Sequence, residues 1–541
     1  MSDVAAPTLA PIQLLDAPTS FVVVAWVLSV ATLLAFTGAA VFLTWRHLKH
    51  ESFNTDSFLT ARGTQPWYRI AWSFFAGALG AWAIGTPASF AASSGILGTI
   101  SYAVSTGIPV VLVSYAGSLI QRVLPRPLSL SDYVLWRYGR PAQIFVAVLT
   151  IVNMSLFVIS EYSTVGSIFK SFLHSSQYPI IILVSLVTAG YTAYGGLLIS
   201  LVTDQLQGIA AVLLSAVLVI YLAVSFPTGA ELPPFPTETL GFTSYGWSTW
   251  VTLPLSLIAS TFFSEANWQR VWAAESPRAL HTGAAVGCFM LIVVVGVFGV
   301  TGLLATWAYA PYLPVLGDGV DTGLANLFMF YSLGDKQYSW IGMVIVVLTV
   351  TLNMSAVDSI QNALTANITA NLFRSWDLKR TRLLVFVLNV PLMIVGFFTL
   401  PALNLFLVTN LLAVASFIPL ISGLADPDRK FISGYTMMFS SVCGMVALVV
   451  YGWITQGNFA DGFVWAWWSN NYDLWAFLVP FFASIIALVA WTVLAVVAEK
   501  VLGWKGQGYT DEMRAVLERM EAEEKAADVA ADEASKQKAA E

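Results

Sequence analysis

Residues 67–95 read WYRIAWSFFAGALGAWAIGTPASFAASSG, a run apolar and long enough to cross a bilayer, yet its middle carries Gly77, Gly80, Gly85 and Pro87. Glycine weakens a helix and proline removes a backbone donor, so the spacing predicts a broken helix. In hydrocarbon an unwound backbone survives only where protein or a water-filled cavity satisfies its amide and carbonyl groups. The break is therefore expected to face a cation and solute site at mid-membrane, with the other helices opening it alternately to each side.

The rest of the chain belongs to the same class. Its 541 residues are 57% hydrophobic and 10% charged, with a mean hydropathy of +0.75, which excludes a soluble globular protein. Apolar runs of spanning length fall near 20–44, 68–91, 97–120, 140–165, 178–197, 201–226, 249–272, 280–308, 338–366, 381–401, 403–424, 432–455 and 474–500. They predict an all-α polytopic membrane protein of about 13 transmembrane helices. The first run follows a segment without Lys or Arg and without a small-residue cleavage site, so it reads as a retained helix.

With the amino terminus outside, the inner loops hold Arg46, Lys49, Arg62, Arg122, Arg126, Arg137, Arg140, Arg270, Arg278, Arg374, Lys379, Arg380, Arg382, Arg429 and Lys430, and the outer loops only Lys170 and Lys336. This one-sidedness predicts a multi-pass plasma-membrane protein with a cytosolic carboxyl terminus. The formal net charge of −6 is due in part to a tail rich in Glu, Ala and Lys after Gly506, expected to be a solvated helix. Cys288 and Cys443 lie within apolar runs and read as small buried residues. His47, His50, His174 and His281 make no metal-ligand spacing, and no phosphate-binding loop or dinucleotide fingerprint is present. These features predict no enzymatic activity and no nucleic-acid partner.

Four further stretches carry polar chemistry. Glu161, toward the outer end of the fourth helix, is either a vestibule group that attracts cations and takes part in gating or a side chain snorkelling to the surface. The pair Gly195 and Gly196 permits a tight turn, after which Asp204 either closes an inner gate and meets a cation leaving inward or complements a helix dipole. In the seventh helix Pro254, Ser256, Ser260, Thr261 and Ser264 interrupt the apolar run much as the glycines interrupt the second. Two interrupted helices five segments apart predict two inverted five-helix repeats, helices 2–6 and 7–11, with flanking helices. In the ninth, Ser355, Asp358, Ser359, Asn362 and Thr365 recur at spacings of three and four and share one face. Such a stripe belongs in the bundle interior, where hard oxygens suit Na⁺; interhelical hydrogen bonding alone is the other reading. The corresponding boundaries are an extracellular segment 1–19, a flanking helix 20–44, a first repeat with its lead-in loop 45–226, a second 227–424, two flanking helices 425–504 and an acidic cytosolic tail 505–541.

The chain resembles the sodium:solute symporter family. The resemblance rests on LSDYVLWRYG (130–139), GGLLISLVTDQLQ (195–207), ANWQRVWAA (266–274) and SAVDSIQNALTANI (355–368), which follow the family's order on the expected helices. It implies the leucine-transporter fold and a Na⁺ site between the second and ninth helices, with carbonyls of Ala76 and Leu79, the Ser355 hydroxyl and Asp204 near the ion's exit. Members often carry two adjacent hydroxyl residues in the ninth helix; here the second position is Ala356, which removes a ligand. Asp358 and Ser359 match a frequent variant and complete or extend the site, and H⁺ coupling through Asp358 is the alternative. The solute is expected against the broken helices, with Ala81, Trp82, Ser260 and Ser264 as lining groups. With no Lys or Arg assigned to the core, the expected cargo is a small polar organic solute that is neutral, zwitterionic or cationic. The family's urea, proline, choline and vitamin branches all stay open. The function expected is cation-coupled symport by alternating access, and a transporter-like solute sensor is the alternative.

Overall fold

In the computed structural model, described for residues 17–48, 55–124, 127–226, 234–309, 338–373, 376–426, 431–503 and parts of 513–525, the chain is helical almost throughout. The amino-terminal segment before residue 17, most of the tail, and Lys49, His50, Arg126, Lys336, Arg374, Arg429 and Lys430 lie outside these residues.

The helices run in the order α1 (Thr19–Leu48), α2 (Thr55–Thr60), α3 (Trp67–Ala78), α4 (Trp82–Val123), α5 (Leu130–Tyr138), α6 (Arg140–Phe172), α7 (Gln177–Ser225), α8 (Thr237–Leu240), α9 (Ser244–Phe262), α10 (Glu265–Ala273), α11 (Pro277–Tyr309), α12 (Trp340–Leu372), α13 (Leu378–Gly396), α14 (Ala402–Ile421), α15 (Gly434–Gln456), α16 (Phe459–Val464) and α17 (Leu474–Leu502). Nine helices among the described residues are long and apolar enough to cross a membrane. Two of them, α4 and α7, are pairs of spans joined at glycines with positive φ: Gly95 (φ 66°) and Gly196 (φ 57°). With those pairs separated, and with α3, α9 with α10, and α13 counted, each of the apolar runs has its helix. The chain is an all-α polytopic membrane protein.

Two helices are broken, and the breaks differ in detail from the sequence expectation. The first lies at Leu79–Ala81, between α3 and α4, while Gly85 and Pro87 sit inside continuous helix beyond it. The second lies at Phe263 and Ser264, between α9 and α10; Pro254 is accommodated within α9 and does not interrupt it. The lead-in to α3 is tied to the exit of α10: Thr64 and Gln65 donate to the Ala273 carbonyl at 3.0 and 2.9 Å, and Glu275 donates to Gln65 at 3.0 Å. The half-helices α3 and α10 are thereby coupled at one end of the bundle.

Around this pair, α11 packs along α3 and α4, and α12 packs against α3, α6, α7 and α10. Helix α12 is buried along most of its length, whereas α17 exposes most of its surface and serves as a flank. The tail corrects an expectation: Met513, Val516 and Met520, spaced three and four apart, are buried, and Arg519 comes within 3.9 Å of Asp132 on α5. An apolar stripe at helical spacing docks that part of the tail on the protein, although its composition reads as solvated.

Gly196 supplies the sharp turn within α7, and a Cβ there would run into the carbonyl and ring of Phe58. Gly196→Val is expected to cost roughly 1–3 kcal/mol in backbone strain alone. A thermal melt of the detergent-solubilised protein, read by size exclusion, should shift down by several degrees; an unchanged midpoint would show that the turn tolerates a side chain.

Candidate functional site

The first break exposes backbone groups that a membrane interior cannot solvate, and helix α6 satisfies them. Glu161, with no exposed surface, accepts through Oε2 from the Ala81 amide at 2.8 Å and from Asn353 Nδ2 on α12 at 2.9 Å. The carboxylate therefore caps the start of α4, where a negative charge also suits the helix dipole. A Cβ on residue 80 would collide with the Glu161 carboxyl group, so Gly80 is what lets it approach. Glu161 is neither in an open vestibule nor at the surface, because the broken backbone of the neighbouring helix holds it inside.

Two turns earlier on the same face, Asn153 serves the second break. Its Nδ2 donates to the carbonyls of Ser260 and Phe263, each at 3.0 Å. Trp268 Nε1 donates to the Phe262 carbonyl at 2.9 Å, so the last carbonyls of α9 are taken up by side chains.

Between the two breaks lies a cavity of about 110 Å³. Its walls come from Gly77, Ala78 and Trp82 at the first break, Ser260, Ser264 and Asn267 at the second, Asn153 and Phe157 on α6, Tyr102 on α4, Phe406, Thr409 and Asn410 on α14, and Tyr472 before α17. Of the four lining groups expected from sequence, Trp82, Ser260 and Ser264 line it, while Ala81 turns its amide to Glu161 instead. The rings meet one another: Phe406 packs on Phe157 with centroids 5.0 Å apart and edge-on to Trp82 at 5.9 Å. Its polar groups are amides, hydroxyls and the Trp82 indole, and among the described residues no Lys, Arg, Asp or Glu lines the cavity.

On the α3 and α10 side of the breaks sits a cluster of charges. Asp204 Oδ1 accepts from Ser355 at 2.8 Å and from Ser359 at 3.4 Å; its Oδ2 accepts from Ser73 at 2.6 Å and from Arg270 Nη2 at 3.0 Å. Arg270 Nη2 also donates to Ser359 at 2.9 Å, Nε to the Ser73 carbonyl at 2.8 Å, and Nη1 to the Ala266 carbonyl at 2.6 Å. Asp358 accepts through Oδ2 from Tyr191 at 2.6 Å and Thr203 at 3.0 Å, and through Oδ1 from Ser200 at 3.0 Å and Ser359 at 3.3 Å. All of these side chains are buried. The stripe on α12 thus faces the interior, as its cost in lipid requires.

Two sequence expectations are corrected here. The charge pattern predicts Arg270 in an inner loop and a core without arginine; the guanidinium is instead buried against Asp204, on a half-helix too short to span. Asp204 is not a dipole-complementing residue of a first turn, since it pairs with that guanidinium deep in the bundle. Gly77 makes room for the pair, because a Cβ there would overlap Arg270. On α3, Ser73 and Gly77 meet the cluster, while Ala76 packs near Gly208 and Leu79 closes the helix before the break. Arg270, Tyr191, Ser73, Asn353 and Tyr472 carry no periodic signal of their own, and their roles follow from helix packing.

The donor set is hard oxygen throughout, which fits an alkali cation or a proton and not a soft metal. Two buried acidic side chains share one guanidinium, so with both ionised the cluster carries a formal charge of −1, which a low-dielectric interior tolerates poorly without one further positive charge, an alkali cation or a proton.

No family model matches the chain. It is 26% identical over 475 residues to spermidine transporter DUR31 of Candida albicans (strain SC5314), covering 86% of this chain and 87% of that protein. Among solved structures, it is similar to a substrate-bound, outward-open Na⁺-coupled sialic acid symporter, with a TM-score of 0.64, 14% identity and coverage of 86% of this chain and 98% of the other. It is also similar to Mhp1, a nucleobase-cation-symport-1 family transporter, in a closed conformation with bromovinylhydantoin bound: TM-score 0.52, 13% identity, coverage 85% and 98%. The chain has the fold of these two polytopic membrane proteins.

Proposed function

We propose that the chain is a secondary transporter that couples the downhill entry of one monovalent cation to uptake of a small organic amine. The observation that carries this reading is the pairing of two sites across the same helix breaks: an aromatic cavity without basic groups, and a carboxylate cluster one positive charge short of balance. Faces of Trp, Tyr and Phe attract ammonium groups, and the cavity's amide and hydroxyl oxygens accept their hydrogen bonds. The similarity to a protein named as a spermidine transporter favours polyamines within that class.

In this reading Na⁺ binds at Asp204 Oδ1 with Ser355 and Ser359; the Ala76 and Leu79 carbonyls that the family resemblance implies as further ligands would have to turn toward this cluster, which on α3 is met by Ser73 and Gly77. Asp358 supplies the second negative charge and is the acceptor if the coupling ion is H⁺. The similarity to a Na⁺-coupled symporter is one of fold, so the ion is assigned on the donor set alone. Entry of one cation contributes about 2.3 kcal/mol per 100 mV, some fiftyfold in concentration, and each ammonium charge carried inward with it adds about the same.

An excess of basic residues in the connecting loops supports a cytosolic position for α5 and α10. There Arg270 joins α10 to α3, α7 and α12, and this four-way link is the closed inner gate. Inward opening requires the guanidinium to leave Asp204, whose carboxylate is then free to follow the departing cation. Glu161 and Asn353 hold the first break in register while the half-helices move.

Proteoliposomes loaded against imposed Na⁺ or H⁺ gradients should accumulate labelled spermidine, and binding without accumulation under either gradient would identify a sensor instead. Asp358→Asn removes the surplus charge and is expected to reduce dependence on the cation gradient at least tenfold; unchanged dependence would remove Asp358 from the coupling site. A double-mutant cycle tests the gate. Arg270→Ala leaves Asp204 buried and unpaired, costing about 3–5 kcal/mol, and adding Asp204→Asn should recover much of that stability. Additive losses would mean that the two side chains do not act together.

A further inference from the structure

The cavity's wall is not made by the broken helices and their neighbours alone. Tyr472 lines it, and Tyr472 belongs to the turn between α16 and α17, outside the helices that build the rest of the site. The turn is held from every side. Asn410 Nδ2 on α14, itself a lining group, donates to the Tyr472 hydroxyl at 3.2 Å. Phe477 stacks on the ring at 5.4 Å with planes 14° apart, and Phe90, eight residues beyond Trp82 on α4, meets it edge-on at 5.1 Å. Tyr245, in the first turn of α9, donates its hydroxyl to the Asn471 carbonyl at 2.8 Å.

The backbone of this turn is costly. Asn471 (φ 49°) and Tyr472 (φ 58°) are consecutive non-glycine residues in the left-handed region. Asparagine tolerates that region, but a bulky tyrosine does so at a cost of about 1–3 kcal/mol. A π-helical turn, Trp465–Ser469, precedes it, the kind of irregularity that often re-aims residues at functional sites. Asn470 then fastens the geometry by donating to the Ala466 carbonyl at 2.8 Å and accepting from the Tyr472 amide at 3.0 Å. Asp473 caps α17 through the Ala476 amide at 2.9 Å. Strain so thoroughly fixed by its surroundings calls for a use, and its result is a phenol at the cavity.

We propose that the turn Asn470–Asp473 is the lid of the solute cavity on the α4 and α9 side, and that Tyr472 is its specificity-determining residue, offering its ring and hydroxyl to the ammonium end of an organic amine. The proposal rests on the cavity being the solute site, as read above. It adds a contact from the flanking helices: the half-helices α4 and α9 are bridged through Phe90 and Tyr245, so the lid closes only when both have come together. The hydroxyl accepts from Asn410 and keeps a lone pair for an ammonium donor. Phe477 covers one face of the ring and Phe90 packs edge-on to it, and the residue still lines the cavity.

The test uses Tyr472→Ala, Tyr472→Leu and Tyr472→Phe in full-length protein. Uptake of labelled spermidine into proteoliposomes gives KM and Vmax. In a background with Cys288→Ser and Cys443→Ser, the rate at which a membrane-impermeant thiol reagent modifies Ser260→Cys from the α4 and α9 side reports closure. Y472A is expected to raise KM about tenfold, the equivalent of 1.4 kcal/mol, and to speed labelling several-fold. Y472L, which keeps most of the volume, should raise KM with little change in labelling, and decides the matter if Y472A does not fold. Y472F should keep slow labelling and raise KM less than Y472L. Wild-type KM and labelling rate in both Y472A and Y472L would overturn the proposal. Absence of spermidine uptake by the wild type would sink the amine reading instead, and the labelling rates would still decide whether the turn is a lid.

Discussion

The fold depends on a carboxylate and an amide, two turns apart on one helix, standing in for water at two interrupted helices. Glu161 receives the amide of Ala81, and Asn153 donates to the carbonyls of Ser260 and Phe263. Without such partners each exposed backbone group in a bilayer would cost several kcal/mol, and the helices would be driven to continuity. With them, the chain keeps unwound backbone inside the helix bundle, and the cavity lies where the two breaks meet α6, with Phe157 between their supports. Gly80 belongs to the same device, since a side chain there would displace the carboxylate.

A second economy governs the charges. Asp204, Asp358 and Arg270 are buried together, ringed by the hydroxyls of Ser73, Tyr191, Ser200, Thr203, Ser355 and Ser359. Buried ion pairs add little net stability against apolar packing, because desolvation consumes most of the attraction. What the arrangement provides is a link: one guanidinium joins four helices while its partner carboxylate keeps an oxygen for hydroxyl donors.

The peripheral elements serve this core unequally. Helix α17 presents mostly lipid-facing apolar surface, yet the turn before it reaches the cavity through Tyr472. The docked stripe Met513, Val516 and Met520 shows the same pattern at the other end of the molecule, with short apolar anchors fixing a segment whose composition is otherwise polar. In both cases three or four residues with specific packing outweigh the average character of their surroundings.

The sequence by itself determined the membrane class, the succession of apolar helices, the presence of two interruptions, and the inward face of the α12 stripe. Each follows from local physics: a spanning helix must be apolar over its length, glycine weakens it, and a row of hydroxyls beside an acid is too expensive to show to lipid. Only the tertiary structure decided where the second interruption falls, that Glu161 caps the first, and that Arg270 neutralises Asp204 in place of sitting in a loop. Those assignments join residues 80 positions apart for Ala81 and Glu161, and 66 apart for Asp204 and Arg270. Charge counted along the chain cannot say which arginine leaves its loop, because burial of a charge is settled by the partner that meets it, and that partner is supplied by packing.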